Sequence, residues 1–175
     1  MSNKLLAAAM ACGIVAIGLG QAPAQAADPA ADAATLIRAR QSALMLSAVA
    51  FGGMKATIDS GGDVSSQAFA ARALARWSKA LPSMFPSGTG KASGTPTKAL
   101  DAIWSDRAGF DARAADYAAA ATKLAQLAEA NDKPGFAAQW QVVRQSCSGC
   151  HDVYREAPPA PAQAAPAAPP PPATK

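Results

Sequence analysis

The chain has 175 residues, 50% of them hydrophobic but only 6% aromatic, and a formal net charge of +4. That length suits one domain once terminal segments are set aside. An alanine-rich core buries little surface per side chain, so a buried prosthetic group with apolar area of its own would complement it. The basic residues form no run and no face, which argues against nucleic acid as a partner.

The first 26 residues read as a cleaved signal peptide. Lys4 supplies the positive start, Leu5 to Leu19 the apolar stretch, and Ala24-Gln25-Ala26 a small-x-small cleavage site. The apolar stretch is short for a retained membrane span. Cys12 leaves with this segment and lacks the upstream aliphatic residue of a lipoprotein signal. The mature chain, expected in the periplasm, then keeps two cysteines in an oxidising compartment, and something should consume both thiols.

Spacing of apolar residues predicts four helices. The first runs over 32–55, with Ile37, Gln41, Leu44, Ala48 and Phe51 on one stripe, and weakens at Gly52-Gly53. Ser60-Gly61-Gly62-Asp63 breaks the chain. The second covers 66–80, with Phe69, Ala73, Trp77 and Ala80 on its apolar face, and stops at Pro82. A Gly-, Pro-, Ser- and Thr-rich loop follows, to Pro96. In the third helix Ile103, Arg107, Phe110, Ala114, Tyr117, Ala121, Leu124 and Ala128 alternate spacings of four and three, the seam of a bundle helix. The fourth runs over 134–156 with Pro134 in its first turn.

Eight of the fourteen prolines fall in the last eighteen residues, so 157–175 reads as a disordered, partly extended Pro/Ala tail. The expected fold is all-α, an up-down-up-down four-helix bundle over 27–156.

Cys147-Ser148-Gly149-Cys150-His151 is the C-x-x-C-H haem attachment signature. Two thiols add to the two haem vinyl groups as thioethers, and the adjacent imidazole reaches the iron from one face. Cys147 and His151 are four apart and share a helix face, and Gly149 is expected to leave room for the macrocycle. A redox dithiol usually opens a helix after a strand, and no strand is expected. Closed structural zinc needs four ligands, and the chain offers one histidine and no second cysteine cluster. Because His151 is the only histidine, the sixth iron position falls to Met45, Met54, Met84, lysine, solvent or nothing. A Met/His haem carries electrons, whereas an open position binds gases.

This combination resembles the cytochrome c prime family, the class II c-type cytochromes, over about 33–156. The resemblance rests on Arg40-Gln41-Ser42-Ala43-Leu44, Ala80-Leu81-Pro82 with Phe85 and Gly88-Thr89, Ile103-Trp104-Ser105-Asp106, and Cys147 through Arg155. It implies one haem c held by Cys147 and Cys150 and ligated by His151. It further implies that Arg40 pairs with a haem propionate with help from Gln41, that Phe85 touches the haem, and that Arg155 lies beside it on the histidine side.

The resemblance also points to Leu44, one turn after Arg40. Low-spin relatives, the cytochromes c-556, carry a ligating methionine there, and five-coordinate members carry leucine. A leucine over the iron offers no lone pair and no donor, so the expected function is a high-spin haem protein that binds NO and CO, with electron transfer to a redox partner protein as a further role. Met45 keeps a second reading open: a one-residue slip, about 100° around the helix, would make it the ligand of a low-spin electron carrier. An enzymatic role as peroxidase or NO reductase lacks a distal histidine for acid–base work. Many relatives dimerise through their first two helices, and Ser47, Ala48, Ala50, Gly52 and Gly53 would permit such an approach.

Overall fold

Two of the long helices begin with the same local device. Asp106 and Asp132 each accept a hydrogen bond from the backbone N–H three residues on, at Gly109 (3.2 Å) and Gly135 (3.0 Å). A Cβ on either glycine would collide with the capping carboxylate, so the Asp-x-x-Gly spacing lets the cap fold over the first turn. Asn131, at φ 52°, takes the left-handed position that closes the preceding helix, and Pro134 sits in the first turn of the next.

The computed structural model describes residues 29–158; the expected signal peptide and the tail beyond Pro158 lie outside the described residues. Its helices are α1 (Pro29–Asp59), α2 (Ala68–Ala80), the single-turn α3 (Ala102–Ser105), α4 (Arg107–Glu129) and α5 (Lys133–Tyr154). Short 3-10 turns occupy Val64–Gln67, Leu81–Met84 and Lys91–Ser93. The long helices form a four-helix bundle in which α4 packs against both α2 and α5. Among the described residues no helix is long and apolar enough to cross a membrane.

Four sequence expectations need adjusting. α1 runs straight through Gly52-Gly53 to Asp59, because Met54 just beyond them is fully buried and anchors the next turn. The third expected helix is split at Asp106, whose φ of −117° and ψ of 57° end α3 and cap α4. α5 stops at Tyr154, where Arg155 turns extended and pairs with Ala99 in an isolated bridge. The buried face of α2 is Ala71, Leu74, Ala75 and Ser78, while Phe69 is 78% exposed and Trp77 is half-buried. Small residues let α2 lie close on α4, and that proximity outweighs the burial of one aromatic ring.

The seam on α4 is as the spacing predicts: Phe110, Ala114, Tyr117, Ala121, Leu124 and Ala128 are all buried. α1 and α5 meet through Phe51 and Trp140, whose rings stack at 4.4 Å and 6°, with Trp140 Nε1 donating to the Phe51 carbonyl at 3.1 Å.

Candidate functional site

α5 buries Phe136, Trp140, Val143 and Tyr154, and the inward side of its last turns carries the motif. Cys147 and Cys150 are free thiols, half-buried and packed against the core, whereas His151, one turn after Cys147, is exposed. Burial pushes both thiol pKa values up; the proximity of Cys150 adds to the rise at Cys147, and the Arg113 charge opposes it at Cys150. Partial desolvation and then the Arg155 charge lower the His151 pKa, against Asp152. The imidazole therefore stays neutral to lower pH than a free one, the form that ligates a metal.

The space over Gly149 is taken by a protein side chain. A Cβ there would come within 2.9 Å of Arg113 Nη1, so this glycine makes room for a guanidinium from α4. Arg113 carries no motif signal, and nothing in the sequence pattern picks it out.

Helix geometry sets the level of the other residues. From the Phe51–Trp140 stack, Leu44 lies seven residues back along α1 and Cys147 seven residues on along the antiparallel α5. At 1.5 Å per residue both stand about 10 Å from the stack, in one layer of the bundle. Leu44 is half-buried against the core, and Met45 is 70% exposed. Met54 is buried near the far end of α1, and Met84 is half-buried after α2.

One layer further along, Arg40 is 2% exposed. Its two terminal nitrogens donate to Thr89 Oγ1 (2.8 Å), the Thr89 carbonyl (2.7 Å), Thr97 Oγ1 (3.0 Å) and the Met84 carbonyl (3.3 Å). Those four bonds leave Nε–H as the remaining donor of the guanidinium. Gln41 Nε2 donates to the Pro96 carbonyl at 3.0 Å. The Arg40 guanidinium lies 4.4 Å from the centroid of the buried Phe85 ring, which meets Phe110 edge-on at 5.1 Å; Phe110 in turn meets Tyr154 at 5.3 Å.

The segment 84–100 is thus a strap across one end of the bundle. Arg40 and Gln41 tie it to α1, and Trp104 and Arg107 donate to the Phe85 carbonyl at 3.2 and 3.0 Å. Leu100 N–H and the Lys98 carbonyl bond the end of α5 at Tyr154 (3.0 Å) and Glu156 (2.8 Å). Tyr154 O–H also donates to the capping carboxylate of Asp106 at 2.7 Å, which pushes its pKa up to about 12. Arg155 follows directly, its backbone in the bridge and its side chain exposed. The structure therefore brings Arg40, Gln41 and Phe85 together at the strap and sets Leu44 level with Cys147. Sequence reasoning missed the strap anchor Thr97 and the Asp106–Tyr154 clasp.

This donor set suits a covalently attached haem better than a bare ion. Among the described residues no group of three His, Cys, Asp or Glu side chains is placed to hold a metal. Two half-buried thiols one turn apart beside a neutral imidazole match two vinyl groups and one axial position. Among the described residues one buried side-chain polar atom, Trp77 Nε1, has no partner, which costs about 1–3 kcal/mol if nothing arrives to accept it. Two hollows lie elsewhere, one in the groove between α2 and α4 beside Arg72, Lys79 and Gln126 and one beside Phe69 and Arg76 of α2.

Comparison with known proteins agrees with this geometry. The sequence profile of the family described as cytochrome C′ matches residues 35–155. The cytochrome c′ of Rhodospirillum rubrum is 34% identical over 133 residues, covering 75% of this chain and 86% of that protein. A crystal structure of cytochrome c′ from Rubrivivax gelatinosus aligns with a TM-score of 0.65 at 33% identity, over 71% of this chain and 97% of that one. A nitric oxide complex of a variant cytochrome c prime from Alcaligenes xylosoxidans aligns with a TM-score of 0.63 at 29% identity, over 70% and 94% of the two chains. With the attachment motif inside the matched span, the chain belongs to the cytochrome c′ family, and its cofactor is haem c.

Proposed function

We propose that this protein is a periplasmic haem protein whose iron is five-coordinate and high-spin and binds NO and CO on the Leu44 side. Cys147 and Cys150 hold the haem as thioethers and His151 ligates the iron; when bound, the haem supplies the metal at which a gas is held. The observation that carries this reading is the α1 register. Leu44 is half-buried in the Cys147 layer, while Met45 is 70% exposed and would need about 100° of helix rotation to turn inward. A leucine there excludes water and lends no lone pair. The nitric oxide complex among the structural neighbours supports the ligand class.

Arg40 and Gln41 form the polar end of the site. The rotatable hydroxyl of Thr97, with Arg40 Nε–H, offers a propionate its partners without dismantling the strap. Phe85 walls the same end, and Arg155 adds positive charge on the histidine side. Substrate turnover is not part of this role, since no second histidine exists to move protons. Electron exchange with a redox partner protein is a secondary role. The exposed apolar side chains Met45, Leu46, Val49 and Phe69 are covered by a second copy in a homodimer. Export rests on the leader-like first 26 residues.

Carbon monoxide association to the ferrous protein tests the register. Leu44→Ala should speed association at least tenfold by removing the side chain that a ligand must push aside. Unchanged kinetics would show that Leu44 does not stand over the iron.

A further inference from the structure

The three tryptophans of this chain are treated differently by the fold. Trp104 Nε1 donates to the carbonyls of Phe85 (3.2 Å) and Pro86 (3.0 Å), and Trp140 Nε1 donates to that of Phe51 (3.1 Å). Trp77 Nε1 is buried without a partner, the one such side-chain atom among the described residues. An indole N–H can only donate, so this hydrogen has no internal solution and awaits an acceptor.

Its level in the bundle says which acceptor. α2 is flanked by two ties to the antiparallel α1, Gln67 beside Gly53 and the Met84 carbonyl to Arg40 (3.3 Å). Counting residue for residue from those ties puts Trp77 opposite positions 43–47 of α1, within a turn of Leu44. Tyr117 neighbours Cys147, whose charge helps raise its pKa, and Cys147 shares its layer with Leu44. Around α2, the groove against α4 opens on the edge carrying Arg72, Ala75 and Lys79. Trp77 lies on the other edge of the Leu74–Ser78 stripe, the side left for α1, against which α2 also packs. The propionate end is elsewhere: Arg40 bonds the Met84 carbonyl, in the 3-10 turn that follows α2 and seven residues beyond Trp77.

We infer that Trp77 is a specificity-determining residue of the gas site: its indole N–H donates a hydrogen bond to the outer atom of a diatomic ligand held on the Leu44 side. Leu44 provides the steric gate and Trp77 the polar contact that leucine lacks. The pocket then favours ligands whose outer atom accepts a hydrogen bond more than a purely apolar pocket would. The inference rests on the gas-binding reading and adds a donor to it. Tyr117, the other polar ring in the layer, sits beside Cys147 and so belongs to the attachment side.

The test is the C–O stretching frequency of the ferrous carbon monoxide complex of the haem-loaded protein. A donor to the ligand oxygen lowers that frequency, so Trp77→Phe should raise it, Tyr117→Phe should leave it in place, and transfer to D₂O should shift it in the unmutated protein. The D₂O arm needs no variant: no shift in D₂O overturns the inference even if Trp77→Phe fails to fold, and a D₂O shift that persists in Trp77→Phe overturns it too. If carbon monoxide binds but neither Trp77→Phe nor D₂O moves the band, the Trp77 inference is overturned and gas binding stands. A shift on Tyr117→Phe alone would overturn it in favour of that hydroxyl. If the ferrous protein binds no carbon monoxide, both readings fall.

Discussion

α1 and α4 run through the same bundle but are held by different means. α4 buries Phe110, Ala114, Tyr117, Ala120, Ala121, Leu124, Ala125 and Ala128, an unbroken seam between α2 and α5. α1, the longer helix, fully buries only Ile37, Arg40 and Met54 among its residues whose burial is described. Between Arg40 and Met54 its inward residues Leu44, Ser47 and Phe51 are half-buried, and that stretch runs from the Cys147 layer of α5 at Leu44 to Trp140 at Phe51. α4 is therefore stabilised by protein packing, whereas α1 is tied on either side of that stretch, by the strap at Arg40 and by the Phe51–Trp140 stack. Its middle depends on what the cysteines hold.

The sharpest way to break that contrast is to remove the attachment. In a Cys147→Ser, Cys150→Ser chain, haem should be lost on mild extraction and amide protection in the middle of α1 should collapse. α4 should keep most of its protection, as hydrogen exchange would report. Equal loss in both helices would mean that α1 does not depend on the cofactor. Next in size, Arg40→Ala should destabilise by about 3 kcal/mol, measured by denaturant unfolding, because it leaves the Thr89 and Met84 carbonyls without their donor. Arg40→Lys should rescue little, since an ammonium cannot fork between Thr89 and Thr97.

α4 and the haem motif were legible in the sequence because each depends on short-range spacing: the four-and-three seam of α4, and two cysteines and a histidine within five residues. The buried side of α2 was not, because spacing puts Phe69, Ala73, Trp77 and Ala80 on one face, whereas the fold uses Leu74 and the small Ala71, Ala75 and Ser78 to bring α2 close to α4. Nor was the strap, whose bonds join Arg40 to Thr89 and Thr97 across 49 and 57 positions of chain. Arg113 lacked any signal, and spacing placed Trp77 only on an apolar helix face, since the role of each depends on which neighbouring helix faces it.

Smaller effects separate the two ends of the site. The Tyr154–Asp106 bond needs a protonated phenol, whose pKa is raised from 10 to about 12 in the folded protein. A raised pKa favours the fold fully below about pH 10, and that contribution is lost as pH climbs through 12. Thermal melts across this window should therefore fall more steeply for the wild type than for Tyr154→Phe; parallel profiles would show that the clasp is not coupled to folding. Smallest for the fold itself, Val49→Asp on the exposed face of α1 should convert a dimer to a monomer in sedimentation while leaving the melting temperature of the monomeric unit and the haem spectrum unchanged. A wild type that sediments as a monomer would contradict the assignment of that face.

The central claim is that α1 presents leucine, not methionine, to the iron. The most direct measurement is the optical spectrum of the purified, haem-loaded protein in its ferrous form near neutral pH. A broad Soret band without sharp α and β bands is the predicted result and means an open axial position on the Leu44 side. Sharp low-spin α and β bands would contradict the account and put a methionine on the iron, with α1 rotated by one residue and Met45 facing inward.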